Sequence, residues 1–174
     1  INRITSSLLS LTKQDQRRLA PVLLDGLLDE VLDRIGHQVS LEPYQIVRVY
    51  RQDGLLVLAD GEQLQQVFTN LVLNGLQAMA DGGVLTVEAA HDTAGLCSVT
   101  VADTGPGIPA GQQERLFTPF FTTKPQGTGL GLAISWGIVR NHGGTISVNS
   151  APGVGARFRV TLPQIGRASC RERV

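Results

Sequence analysis

Asn70, Asn74 and Gln77 stand four and three residues apart, so a helix would carry the three amides on one stripe. Amide oxygens are hard and neutral. Magnesium takes a few such oxygens and fills the rest of its shell with water and phosphate. Asn supplies one without setting another negative charge beside a polyphosphate. The same spacing also fits amides that are merely solvated at a helix edge. Asp103-Thr-Gly-Pro-Gly-Ile108 follows an apolar run. A carboxylate at a strand end, beside glycines that let the backbone approach a flat ligand, can accept from an exocyclic amino group such as that of adenine. Such a bond is worth about 1.5–3 kcal/mol. Guanine presents a carbonyl there and would be refused. An ordinary Asp-Gly turn between strand and loop fits equally when taken alone.

Phe117-Thr-Pro-Phe-Phe-Thr-Thr-Lys124 combines three phenylalanines with a lysine, unlike a solvated loop. Its aromatics suit packing on the core, on a partner helix, or on both, and Lys124 suits a flexible point charge for phosphate. Gly127-Thr-Gly-Leu-Gly-Leu132 then precedes a helical pattern. Backbone amides in such a loop, with a helix N-terminus behind them, bind anions. A dinucleotide-binding fingerprint would follow a strand, whereas this run follows a Pro-containing loop. A P-loop would need Gly-Lys-Ser or Gly-Lys-Thr, which is absent. Together the four motifs read as a site for ATP and magnesium.

The remaining reactive side chains point elsewhere. His37, His91 and His142 have no metal-ligand spacing with one another or with the cysteines. His142 sits at an expected helix C-terminus, where a cation is favoured. None opens an amphipathic helix as a His-Glu or His-Asp pair. Cys97, in the apolar stretch Leu96–Val101, reads as a small buried hydrophobe rather than a redox group.

These residues must be held by elements that hydrophobic spacing makes visible. Ile1, Ile4, Leu8 and Leu11 mark one helical face. Leu23, Leu24, Leu27, Leu28, Val31 and Ile35 mark a second helix, with Pro21 at its start. Strands are expected at Tyr44–Tyr50 and Leu55–Leu58. Asp60 caps the next helix, and Gln63 completes a capping box. Its apolar face is Leu64, Val67, Phe68, Leu71 and Met79, and Asp81-Gly-Gly83 ends it. Strands follow at Val84–Ala89 and Ser98–Ala102, then a helix over Leu132–Arg140 stopped by Asn141-His-Gly-Gly144. A hairpin, Thr145–Ser150 and Ala156–Leu162, turns at Pro152-Gly-Val-Gly155. This order predicts one mixed sheet with helices on one face.

The chain has 174 residues, enough for one domain that buries roughly two thirds of its unfolded surface. Its 15 basic and 15 acidic residues cancel, so no global field draws it to nucleic acid or membrane. No apolar run is long enough to span a bilayer, and two cysteines make no disulfide framework. Ile1 rather than Met stands first, and the chain reads as part of something longer. The run Ile165–Val174 looks like a translated sequencing adapter, so residues 164–174 are expected to be non-native.

The ordered motifs resemble the ATP-binding domain of the sensor histidine kinases of two-component systems. The Asn74-Gly-Leu-Gln-Ala78 and Phe120-Phe-Thr-Thr-Lys124 stretches are closest to the nitrogen-sensing class. The resemblance implies an α/β (α+β) two-layer sandwich of Bergerat type, shared with gyrase, mismatch-repair and heat-shock chaperone ATPases. It implies residues 1–20 as the end of a dimerisation and histidine-phosphotransfer helix with its linker, and 21–163 as the ATP-binding catalytic domain. It makes Asn74, supported by Asn70, the magnesium ligand. With Lys124, these two become the catalytic residues. ATP would be lined by Asn70, Asn74, Gln77, Asp103, Gly105, Gly107, Ile108, Thr122, Thr123, Lys124, Gly127, Thr128, Gly129, Leu130, Gly131 and Leu132, under a mobile lid beginning at Phe117.

The implied partners are the protein's own phosphotransfer domain, a response regulator and a second copy in a homodimer, with no nucleic acid. The implied location is a cytoplasmic domain of a soluble or membrane-anchored protein. Three departures stand out. Gly75 replaces the usual alanine, which weakens its helix by roughly 0.5–1 kcal/mol. Ala156 replaces a hydroxyl residue near adenine, and the acceptor-histidine motif is absent. The related hydrolases place a glutamate at position 70 to activate water. Asn cannot act as that base, which favours phosphoryl transfer to histidine. The alternatives are an anti-sigma-type serine kinase with the same pocket and a non-catalytic interaction module.

Overall fold

The computed structural model describes residues 18–92 and 95–165. The expected helix at Ile1–Leu11 and residues 166–174 lie outside them. The elements run β1 (Ala20–Leu23), α1 (Leu24–Gln38), β2 (Tyr44–Tyr50), β3 (Leu56–Ala59), α2 (Gly61–Ala78), β4 (Gly83–Asp92), β5 (Leu96–Asp103), α3 (Ala110–Gln113), α4 (Gly131–Asn141), β6 (Thr145–Ala151) and β7 (Gly155–Pro163).

Five strands form one mixed sheet in the order β2-β4-β5-β7-β6. β2 runs parallel to β4, and the other neighbours are antiparallel. The parallel pair needs a long crossover, which β3 and α2 supply. α1, α2 and α4 form the second layer and close the core against one sheet face. The fold is the expected α/β two-layer sandwich.

α2 is the central helix. Leu64, Val67 and Phe68 are fully buried, and Leu71 and Met79 nearly so, as the spacing predicts. Each large side chain taken from water contributes about 1.5–3 kcal/mol. Asp60 caps the helix as expected: its Oδ1 accepts from the N–H groups of Glu62 (3.1 Å) and Gln63 (3.2 Å). The reciprocal half of the capping box does not form. The Asp60 N–H donates instead to Nε2 of His142 at 3.0 Å.

Pro21 does not open a helix. It lies in β1, opposite Leu58 of β3, and α1 begins at Leu24. Proline is tolerated there because β1 is an edge strand, where a missing N–H costs no ladder bond. The one-turn helix α3 was not expected from the sequence either.

α4 ends as predicted at Asn141–Gly144. Gly144 N–H bonds Val139 O (3.0 Å) and Gly143 N–H bonds Arg140 O (3.0 Å), the two bonds of a Schellman end. Cys97 is fully buried in β5. Backbone pairing continues past β7: Gln164 N–H bonds Gly95 O (3.1 Å) and Ile165 N–H bonds Leu56 O (2.9 Å).

Candidate functional site

A cavity of about 620 Å³ opens between α2, the end of β5, the start of α4 and the segment 106–129. Its wall brings together Asn70, Asn74, Gln77, Asp103, Gly107, Ile108, Thr122, Thr123, Lys124, Gly127, Thr128, Gly129, Gly131 and Leu132, all singled out in the sequence. Two others are not in the wall. Leu130 is turned into the core at 1% exposure, and Gly105 lies behind Asp103 and serves it through its backbone.

Asp103 ends β5 and is 8% exposed. Oδ1 accepts from the N–H groups of Gly105 (2.9 Å) and Ala156 (3.3 Å). Oδ2 has no partner among the described residues, so one carboxylate oxygen is held and the other is available. Burial pushes the carboxyl above its usual value; the two N–H groups and the Lys124 ammonium oppose that shift. The turn behind it is tight. Gly107 has φ +77°, and a Cβ there would collide with the carbonyl of Ala151. Any other residue would push the 103–108 loop off the β6–β7 turn.

Asn70 and Asn74 lie one turn apart on α2. The Asn70 Nδ2 donates to Gly131 O (3.2 Å) and to Ser135 Oγ (3.3 Å). Its carbonyl oxygen has no partner among the described residues. Ser135, fully buried, donates in turn to Gly131 O at 2.9 Å. Lys124 reaches down from the segment above and donates to Gln77 Oε1 (2.7 Å) and Asn74 Oδ1 (3.4 Å). Two neutral amide oxygens thus already converge on a cation, the donor set that a hard divalent ion accepts. Burial lowers the Lys124 pKa, and Asp103 opposes the shift. Asp103 and Lys124 are the only charged residues in the described wall.

The glycine run leads into α4. Leu130 stands at the cap position and offers no side-chain cap, so the first-turn N–H groups are left for a ligand, and Gly131 and Leu132 face the cavity. Gly129 has φ +67° and sits so close to the Phe120 backbone that a Cβ would overlap it; the Phe120 N–H bonds Gly129 O at 2.9 Å. The three phenylalanines diverge. Phe117 packs on the core, Phe121 lines the cavity under the Arg115 guanidinium (4.6 Å), and Phe120 is 67% exposed.

Sequence reasoning missed Ser135, which orients Asn70. Its one-turn spacing from Gly131 was visible, but its partner is 65 residues away. It also missed Gln113, whose Nε2 ties Ile108 O (2.8 Å) to Ser150 O (2.9 Å), because a four-residue helix leaves no periodic trace.

Residues 59–165 match the family profile described as histidine kinase-, DNA gyrase B-, and HSP90-like ATPase. Sensor histidine kinase ZraS of Escherichia coli O157:H7 is 43% identical over 164 residues, covering 94% of this chain and 35% of that protein. The catalytic domain of histidine kinase ThkA superposes with a TM-score of 0.76 at 32% identity, covering 84% of this chain and 96% of that one. A longer ThkA chain, solved in complex with the response regulator TrrA, gives 0.80 at 27% identity and covers 94% and 47%. Full-length ShkA, solved with AMPPNP, gives 0.83 at 28% identity and covers 92% and 35%. The chain spans about a third of the length of the curated relatives it matches. The profile takes in more than half of the residues, including every motif from Asn70 to Leu132, and the chain belongs to the histidine kinase-, DNA gyrase B-, and HSP90-like ATPase family.

Proposed function

We propose that this chain is the ATP-binding catalytic domain of a sensor histidine kinase. It presents the γ-phosphoryl group of ATP to a histidine on a separate helical dimerisation domain, for relay to a response regulator, within a homodimer. The observation that carries the reading is Asn70. Where the resemblance to the related hydrolases implies a water-activating glutamate, it is an amide whose NH2 is committed to Gly131 and Ser135. Asp103 is the only carboxylate in the described wall, and its Oδ1 is spent on backbone N–H groups. A site without a base for water suits transfer to an external nucleophile.

Asp103 Oδ2 accepts from the exocyclic amine of adenine. The N–H groups of Thr128, Gly129, Gly131 and Leu132 take the phosphates at the start of α4. Asn74 and Asn70 are the magnesium ligands, and Gln77 borders them. Magnesium, when bound, neutralises phosphate charge. Lys124 leaves Gln77 and Asn74 and turns to the phosphate oxygens as a point charge. Thr122 and Thr123, beside it, complete the lid. The complexes of ShkA with AMPPNP and of ThkA with TrrA support the nucleotide and the response-regulator partner.

The test is incubation with magnesium and γ-labelled ATP beside calorimetric titration. The expected result is nucleotide binding, little phosphate release and no acid-labile phosphate on the chain. Rapid phosphate release, or stable phosphohistidine on this chain alone, overturns the reading.

A further inference from the structure

Among the described residues, hydrogen bonds tie α2 and its cap to α4 and its cap at Asn70 and at Asp60, and of these the Asn70 bonds lie in the site. The near tie is Asn70 to Gly131 and Ser135. The far tie is Asp60 N–H to His142 Nε2, at 3.0 Å. Asp60 and Asn70 are ten residues apart, about 15 Å along a helix. Gly131 and Ser135 lie eleven and seven residues before His142, about 10–16 Å. The spacings match, so α4 is tied near both of its ends to the first half of an antiparallel α2.

Each group at the far end is committed. A backbone N–H only donates and a carbonyl only accepts. His142 therefore accepts at Nε2 from Asp60 and donates from Nδ1 to Ile138 O (2.8 Å), as a neutral ring protonated at Nδ1. The sequence-based expectation of a cation at this helix end is corrected by that geometry. The Asp60 carbonyl accepts from Leu64 N–H (3.0 Å), Oδ1 holds the Glu62 and Gln63 N–H groups, and Oδ2 accepts from Arg18 N–H (3.3 Å). His142 itself is aimed by the Schellman end, where Gly144 lies directly against Thr161 O of β7.

We infer that His142 is a positioning residue for the nucleotide site, acting through Asp60 to hold the glycine cradle of α4 in register with Asn70 and Asn74 on α2. The inference rests on the kinase reading above. The apolar core packs the two helices together without fixing their register, and with the far bond cut more of that task falls on the Asn70 amide, the group that must face phosphate undisturbed.

The test titrates magnesium AMPPNP by calorimetry, well below the unfolding temperature, into the wild type and three variants. His142→Gln keeps an acceptor at about the reach of Nε2. His142→Asn keeps only the donor to Ile138. His142→Phe keeps the ring volume and neither bond. The Asn and Phe variants are expected to bind about five- to tenfold more weakly, the worth of one hydrogen bond, and Gln to stay within about twofold. Packing alone would rank Phe nearest to the wild type. Wild-type affinity in His142→Asn overturns the inference, whereas a wild type that does not bind AMPPNP brings down the kinase reading itself. Should the variants not fold, hydrogen exchange of the wild-type Asp60 amide decides. Its protection is expected to rise when AMPPNP binds, and no change overturns the inference.

Discussion

Burial pushes the Asp103 carboxyl above its ordinary 3.8, while its proposed role as acceptor for adenine calls for the ionised form. A folded-state pKa above the unfolded one means that the fold prefers the proton. The stability this group contributes is full below about pH 3.8 and is lost as pH rises through the raised value. On the proposed role in adenine recognition, the carboxylate is ionised against the preference of the fold. Asp103→Asn separates the two. An Asn oxygen still accepts from Gly105 and Ala156, but its NH2 would face the adenine NH2, donor against donor. The ligand-free variant should be more stable than the wild type near pH 7, with the difference shrinking toward pH 4, by thermal unfolding across pH. Its ATP affinity should fall about tenfold or more by calorimetry. Wild-type affinity should itself decline with acid, starting at a higher pH than an ordinary carboxylate would give. A variant that is less stable at neutral pH, with unchanged affinity, contradicts both roles.

The helix carrying the amides also explains a residue that looked only unfavourable. Gly75 costs α2 roughly 0.5–1 kcal/mol in helix propensity. A Cβ at that position would stand 2.6 Å from Leu85 Cδ1, with Asp103 Cβ at 3.5 Å. Leu85 is fully buried, so its side chain would have to shift within the packed core to make room. The glycine thus lets α2 lie close on β4 and β5, which brings Asn74 beside Asp103. Gly75→Ala should destabilise by about 1 kcal/mol net, overpacking of about 1–3 kcal/mol outweighing the gain in propensity. Combining it with Leu85→Val should recover most of that loss, a coupling of about 1 kcal/mol in a denaturant double-mutant cycle. Additive effects would show that the contact relaxes freely. Periodicity explains why such helices were legible in the sequence: α2 and α4 repeat their apolar faces over many turns and carry their stop signals with them. β1 and α3 have four residues each, and β1 contains a proline, so neither left a pattern to read. The site motifs were legible because each is local. The bonds between them were not: Asn70 to Ser135 and Asp60 to His142 join positions 65 and 82 residues apart, and spacing along one element says nothing about them.

At the scale of the whole molecule, ligand binding should act as a brace across the two layers. The cavity takes its floor from α2, its end wall from β5 and β7, and its roof from the segment that leads to α4. Anything bound there holds together parts that otherwise meet mainly through the core. A ligand at about 100 times its dissociation constant adds about 2.7 kcal/mol to stability. For a chain of this size that raises the melting temperature by about 5–10 °C. The pattern of dependence is more telling than the size. The proposed metal donors, Asn70 and Asn74, are neutral amides, and few of them cannot strip magnesium of its water. Magnesium alone should therefore leave the melting temperature unchanged, ATP with a chelator should raise it partly, and the two together should raise it fully. GTP with magnesium should do little, because its base offers a carbonyl where Asp103 needs a donor. Thermal unfolding under these four conditions checks the entire arrangement at once. A full shift from magnesium alone would mean a metal centre that these amides cannot build, and an equal shift from GTP would remove Asp103 from base recognition.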